Sequence, residues 1–256
     1  MREILEAVAA GELSTAAAEA KLRGYTTYEA GRFDAARTHR SGVPEAVLGA
    51  DKTPAEVAAL AGTSLETTGR VLATRLDETQ ISAVRDHLAE TAPAAETRTH
   101  DRAGLLVAHA PDFEPPDLDA PVGVVTAGTG DTVPATEAAV LAREIGATVD
   151  RIDDIGVASL ARLLDQVSTL RTEDLLIVAA GREGALPTVT AGLVDVPVIG
   201  LPVSTGYGHG GDGEAALAGM LQSCTALSVV NIDAGCTAGV QAGLLARQLS
   251  SSRSER

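Results

Sequence analysis

Short stretches of this chain carry residue types that can do chemistry. One is Gly181-Arg182-Glu183-Gly184, a turn that sets a carboxylate between glycines. A carboxylate so placed can serve as a general base. It also gains from the dipole of a helix that starts there, which is a structural reason for Glu183 to exist. Another is Cys224, where an apolar helical segment ends. Its thiolate would be a nucleophile. The end of a helix disfavours an anion, so it would need a base beside it or a cationic substrate above it. A cysteine here can equally be a small core residue. Thr126-Ala127-Gly128-Thr129-Gly130-Asp131 offers amides and hydroxyls that can hold a phosphate. It has neither the Gly-Lys-Ser/Thr of a Walker loop nor the third glycine of the dinucleotide fingerprint, and it also reads as an ordinary turn. Tyr207-Gly208-His209-Gly210-Gly211 is either a lid with one histidine or a solvated loop. No spacing of His, Cys and carboxylates marks a structural metal site.

The elements that must position these residues follow from hydrophobic pattern. Leu175–Ala179 and Val196–Leu201 are apolar, β-rich runs, and the small-residue segment Ala185–Leu193 lies between them. That is a βαβ unit, with Glu183 in its first turn. Val122–Thr126, Thr148–Ile152 and Ser228–Ile232 read as further strands, and 134–145, 157–170, 213–221 and 237–249 as helices. Alternation of this kind predicts a three-layer α/β domain with a parallel sheet, whose carboxyl edge is where ligands bind. The stretch 109–121 holds four prolines and four acids and reads as a linker. The expected organisation is a smaller α+β domain over 1–110, an α/β domain over 120–250 and a flexible tail over 251–256.

In the first domain Ser14 should cap an Ala-rich helix. Thr53-Pro54-Ala55-Glu56 is a capping box for a helix running to about Gly62. Asp77 and Gln80 cap another, with Ile81, Val84 and Leu88 on one face. Val71–Leu76, Glu96–His100 and Gly104–Ala108 read as strands. Residues 31–53 set Arg32, Arg37, Arg40 and Lys52 against Asp34, Glu45 and Asp51. This basic island can bind an anionic ligand or be spent on surface ion pairs.

Composition bounds the rest. The chain has 256 residues, a formal net charge of −15 and two lysines, Lys21 and Lys52. Such a chain repels polyanions, so nucleic acid is not an expected partner. Its acidic, Lys-poor balance resembles proteins from salt-loving cells. Aromatics are 2%, so the core must come from Val, Leu, Ile and Ala. Two cysteines make no disulfide scaffold. The start, MREILEAVAAGEL, has no apolar core of a signal peptide, and no run reaches membrane-span length. A cytoplasmic protein is expected.

Two resemblances add to this reading. AAGREGALPTVTAGLVDVPVIGLPV is similar to the core motif of the aminoimidazole ribonucleotide carboxylases and mutases, and Gly128-Thr129-Gly130-Asp131 echoes their phosphate turn. Where that family has His before Leu-Pro, this chain has Ala185, which argues against purine carboxylation. More widely, the chain resembles the LarB carboxylases of nickel-pincer-nucleotide biosynthesis. The matching pieces are Gly31-Arg32-Phe33-Asp34, Arg37, Arg40-x-Gly42-x-Pro44-Glu45, Lys52-Thr53, Thr126-Ala127-Gly128-Thr129, Glu183-Gly184-Ala185-Leu186-Pro187, Gly206-Tyr207-Gly208, Ser223-Cys224 and Val230-Asn231-Ile232-Asp233.

The LarB resemblance implies a substrate, nicotinic acid adenine dinucleotide, with CO2 or bicarbonate as co-substrate and magnesium assisting. It implies carboxylation at C5 of the pyridinium ring and hydrolysis of the phosphoanhydride. Cys224 would be the nucleophile and Glu183 the base. Gly128, Thr129, Asp131, Gly181, Gly184 and Tyr207 would bind substrate, Thr129 and Asp131 near phosphate or ribose. Arg32, Asp34, Arg37, Arg40 and Lys52 would form the other binding group, its cations holding carboxylates or the diphosphate. A homo-oligomer, an octamer by family resemblance, is also implied. The alternatives are an aminoimidazole ribonucleotide carboxylase or a non-catalytic nucleotide-binding module.

Overall fold

The computed structural model describes residues 2–28 and 31–255. The chain divides into two compact units, 1–114 and 115–256.

The first unit opens with α1 (Arg2–Ala9) and α2 (Thr15–Arg23), whose first turn is capped by the Ser14 hydroxyl accepting from the Ala17 N–H. A short hairpin follows, β1 (Thr26–Tyr28) and β2 (Gly31–Phe33), then α3 (Arg37–Ser41). β3 (Val47–Leu48), α4 (Pro54–Thr68), β4 (Arg70–Thr74), α5 (Glu78–Thr91), β5 (Glu96–His100) and β6 (Leu105–His109) complete it. The sheet order is β3-β4-β6-β5, with β3 parallel to β4 and the other pairs antiparallel. Both expected capping boxes form: Thr53 with Glu56, and Asp77 with Gln80. Helix α4 does not stop at Gly62 but runs to Thr68, where Gly69 takes a left-handed conformation (φ 76°) and closes it. A glycine inside a helix costs less than the packing of Leu60, Ala61 and Leu65 on the sheet returns.

The second unit holds β7 (Leu118–Thr126), α6 (Thr132–Ile145), β8 (Ala147–Ile152), α7 (Leu160–Leu170), β9 (Leu175–Ala180), α8 (Ala185–Ala191), β10 (Val198–Pro202), α9 (Glu214–Leu221), β11 (Ser228–Val229) and α10 (Gly235–Ser254). Its five strands are all parallel, in the order β11-β10-β9-β7-β8. One face packs on α6 and α10 through Ala135, Ala138, Ala142, Ala238, Ala242 and Ala246. The other is covered through Leu163, Leu170, Leu186 and Met220 of α7, α8 and α9. The three-layer parallel α/β fold expected from the sequence is therefore observed. Helix α10 lies close on α6 because Gly235, Gly239 and Gly243 recur every fourth residue on one face. A Cβ at Gly239 would collide with the Ala138 carbonyl oxygen.

The C-terminal expectation needs correction. Residues 251–254 are not a loose tail but the last turn of α10. Arg253 holds that turn down, pairing with both oxygens of Asp174 and donating to the Asp119 carbonyl. Arg256 lies outside the described residues. Among the described residues no helix is long and apolar enough to cross a membrane.

Candidate active site

The sheet order places the site. β7 sends the chain outward to β8 on one side, while β9 pairs on the other, so the loops after β7 and β9 diverge. Such a switch point opens a crevice at the carboxyl edge of a parallel sheet. Register brings the strand ends level: Thr126 pairs with Ala179, and Ala180 with Pro202. A cavity of about 640 Å³ lies there, lined from the loops after β7, β8, β9 and β10. A smaller one of about 160 Å³ adjoins it, and the two share a wall of Arg182, Glu183, Thr205, Gly206 and Tyr207.

The Glu183 turn is locked by close packing. A Cβ at Gly181 would collide with the Thr205 carbonyl oxygen, and one at Gly184 would meet that of Ala216 at 2.5 Å. Gly184 is also left-handed (φ 67°), as is Arg182 (φ 55°). Two obligatory glycines and a non-glycine residue in the left-handed region thus fix how Glu183 leaves the backbone. Glu183 is exposed, lines both cavities and makes no side-chain hydrogen bond among the described residues. The Arg182 guanidinium stacks 4.4 Å from the centroid of the exposed Tyr207 ring.

Asp131 ties the loops together. Its Oδ2 accepts from the Gly128 N–H at 2.8 Å. Its Oδ1 accepts from the Gly181 N–H and from the Thr205 hydroxyl, each at 3.2 Å. The residue is 4% exposed. Burial pushes its carboxyl up, and the three donors pull it back in part. The sequence reading put Asp131 beside phosphate or ribose. The residue lines the larger cavity, and its oxygens position three loops, because a buried carboxylate must be satisfied by donors. The next loop is fixed similarly: the Thr126 hydroxyl donates to Asp153 at 3.0 Å and accepts from the Asp154 N–H at 3.1 Å.

Cys224 is exposed and in no disulfide, which removes its reading as a core residue. It does not line either cavity. It follows α9, whose Gly219 has room only for hydrogen because a Cβ there would collide with the Glu183 carbonyl oxygen. Its neighbour Thr225 donates from Oγ1 to the Thr188 carbonyl inside α8 at 3.2 Å. Both contacts tie α8 to α9, and among the described residues no hydrogen bond joins Glu183 to Cys224. Cys236 sits at the start of α10, its N–H held by the buried Glu137 at 3.0 Å.

Gly128, Thr129, Asp131, Gly181 and Tyr207 all line the larger cavity, with Glu183. Arg32, Asp34, Arg37, Arg40 and Lys52 belong to the first unit. There Arg40 pairs with Asp34 at 2.5 Å, a contact that raises the guanidinium further above its ordinary range. Arg37 pairs with Glu45 at 2.5 Å, and Arg32 lies 4.9 Å over the Tyr25 ring. The Lys52 carbonyl is held by the buried Gln80 side chain at 2.7 Å. Sequence reasoning missed Arg162, which also lines the larger cavity. Its signal was an arginine in the first turn of the helix that follows the loop after β8.

Two domain families match the chain in order. A LarB/PurE-like N-terminal domain covers residues 25–108, and AIR carboxylase covers residues 121–256. The chain belongs to the LarB family. An uncharacterized protein of Methanocaldococcus jannaschii, MJ0165, is 35% identical over 254 residues, covering 96% of this chain and 97% of that one. LarB and AIR carboxylase domains make this a protein of carboxylase type, with the carboxylase-like fold holding the cavity.

Proposed function

We propose that the protein carboxylates C5 of the pyridinium ring of nicotinic acid adenine dinucleotide and hydrolyses its phosphoanhydride. The products are pyridinium-3,5-biscarboxylic acid mononucleotide and AMP. The observation that carries this reading is the Glu183 turn, locked between glycines in the wall of a cavity at the switch point of a LarB-family chain.

A pyridinium carbon is electron-poor and does not attack CO2. Glu183 takes the thiol proton of Cys224, and the thiolate adds to the ring carbon beside C5. The ring electrons then form an enamine whose C5 is nucleophilic. C5 bonds to CO2, a base removes the C5 proton, and the C–S electrons return to sulfur as aromaticity is restored. The exposed thiol meets a cationic ring, which compensates for its place after a helix end. In the second reaction water cleaves the P–O–P link.

Among the described residues no three His, Cys, Asp or Glu side chains gather as metal ligands. Magnesium that assists would arrive on the substrate's phosphates, its usual mode of binding. We take the protein to act as a homo-oligomer.

Incubation with the dinucleotide, bicarbonate and magnesium, at low and high salt, tests the reading by mass spectrometry. A dicarboxylated mononucleotide plus AMP is the expected result. Folded protein that forms neither product at either salt concentration overturns it.

A further inference from the structure

Toward the amino edge of the second unit's sheet, away from the cavity, two carboxyl groups meet. Glu173 comes just before β9 and is 4% exposed. Its side chain lies across β7 at Gly123, where a Cβ would stand 2.9 Å from the Glu173 Cγ. Gly123 is paired with Asp150 of β8 on one side and with Leu176 of β9 on the other. The Glu173 carboxyl crosses that bare backbone and hydrogen-bonds the Asp150 side chain. Its Oε2 is buried and has no hydrogen-bond partner among the described residues. An ionised carboxylate only accepts, so two carboxyl groups bond to each other only when one carries a proton. The contact itself thus places a proton here, and burial favours keeping it.

The surrounding charges offer no substitute. Asp174 adjoins Glu173 at the foot of β9 and adds a second like charge to that of Asp150. Arg253 of α10 is committed to both oxygens of Asp174 and to the Asp119 carbonyl of β7. Arg171, just after α7, donates from Nε and Nη2 to the Leu193 carbonyl. Arg143 of α6, which interacts with Asp150, donates to the Val149 carbonyl at 2.9 Å. An ionised Glu173 would therefore be a buried carboxylate with an unpartnered oxygen beside two aspartates. To reach water it would have to leave its place across Gly123.

We propose that Glu173 and Asp150 share one proton as a latch, and that loss of this proton in alkaline medium opens the start of β9. The bond at stake is that of the Asp174 N–H to the Pro121 carbonyl, 2.9 Å long, which ties the start of β9 to β7. Strands β7, β8 and β9 lead at their other ends into loops that line the larger cavity. The latch thus fixes the feet of the strands on which the site stands.

Carbon-13 NMR of the Glu173 carboxyl in the full chain tests the proton. Burial first, and then Asp150 and Asp174, push this carboxyl up to about 7, so it should titrate near neutrality. Asp150→Asn removes a like charge and supplies a donor, and should bring that midpoint down toward the usual carboxylate range. Backbone hydrogen exchange tests the opening. The folded state holds the proton above the ordinary value, so protection is greatest in acid and falls as pH rises. Between about pH 5.5 and 8 the amides of Asp174–Leu176 should lose roughly 30-fold in protection, beyond the change in intrinsic exchange. That ratio follows from a proton held at about 7 when closed and at the ordinary 4.5 when open. Glu173→Gln, neutral at every pH, should abolish the loss. A Glu173 midpoint near 4.5 in the unaltered protein overturns the latch, as does an equal loss of protection in Glu173→Gln. Should Glu173→Gln fail to fold, the NMR titrations decide, since an unmoved midpoint in Asp150→Asn overturns the shared proton.

Discussion

The Glu183 turn and the basic segment 31–53 both read as substrate-binding in sequence, and they are built in opposite ways. In the turn, backbone decides: glycines 181 and 184 have no room for a side chain, and the buried Asp131 stitches three loops together. In the basic segment, side chains decide: the exposed Arg37 and Arg40 reach half-buried carboxylate partners in their own unit. Exposed pairs are weak and exchange partners readily, whereas a packed turn is fixed before substrate arrives. The comparison teaches that a site residue is best judged by what holds its backbone. Charge alone marks a group that can serve a ligand or a neighbour.

Mutations can break or sharpen this contrast. The largest effects belong to the chemistry. Cys224→Ala should cut carboxylation by about 1,000-fold or more, as loss of a covalent nucleophile does. Because the residue is exposed, its thermal midpoint should not move. Glu183→Gln should cost about 100-fold in kcat with little change in KM, the signature of a general base. A larger loss on neutralising Arg40 than on changing Glu183 would reverse the ranking of the two regions.

Gly181→Ala comes next. The added methyl meets backbone, so the strand end or the Thr205 loop must shift, at about 3 kcal/mol of stability. Chemical denaturation of the variant measures this, and an unchanged midpoint would mean the turn is not locked. Glu173 gives a smaller, pH-dependent effect. This buried carboxyl is raised to about 7, first by burial and then by the charges of Asp150 and Asp174 and a hydrogen bond with Asp150. The folded state thus holds the proton more tightly than the unfolded chain. The contribution is full below about pH 4.5 and is lost as pH rises through 7. Glu173→Gln should flatten the midpoint between about pH 5 and 7.5 relative to the parent, within the usual carboxylate-to-neutral titration window. The smallest structural effect is expected for Arg40→Gln, since Arg40 is itself exposed. A rise in KM with an unchanged midpoint would give that arginine to the substrate. No change in either would leave it a surface pair.

Much of the fold was legible because its signals are local. Capping at Thr53 and Asp77, apolar runs at 122–126 and 175–180, and glycine at helix ends each act over a few residues. Where reading failed, a distant partner intervened. Helix α10 outruns its polar sequence because Arg253 finds Asp174, 79 residues away. Helix α4 passes Gly62 because the sheet beneath rewards it. The Glu183 turn could be picked out from residue types, but the loop-tying role of Asp131 could not. Its bonds to Gly181 and Thr205 span 50 and 74 residues. Arg162 has only a faint signal in sequence, an arginine in the first turn of a helix, and its place in the cavity wall depends on strand order.

Sequence alone determined that alternating strands and helices would make a parallel sheet, that a carboxylate would stand between glycines at a strand end, and that the motifs are those of LarB carboxylases. These are consequences of periodicity, turn chemistry and motif order, each carried by neighbouring residues. Tertiary structure decided which strands are adjacent, and therefore which loops share a cavity. It gave Asp131 the task of tying three loops, brought Cys224 to the surface and set Arg162 in the wall of the larger cavity. The physical reason is that strand order and buried hydrogen bonds join residues by distance in space, which a linear pattern does not record.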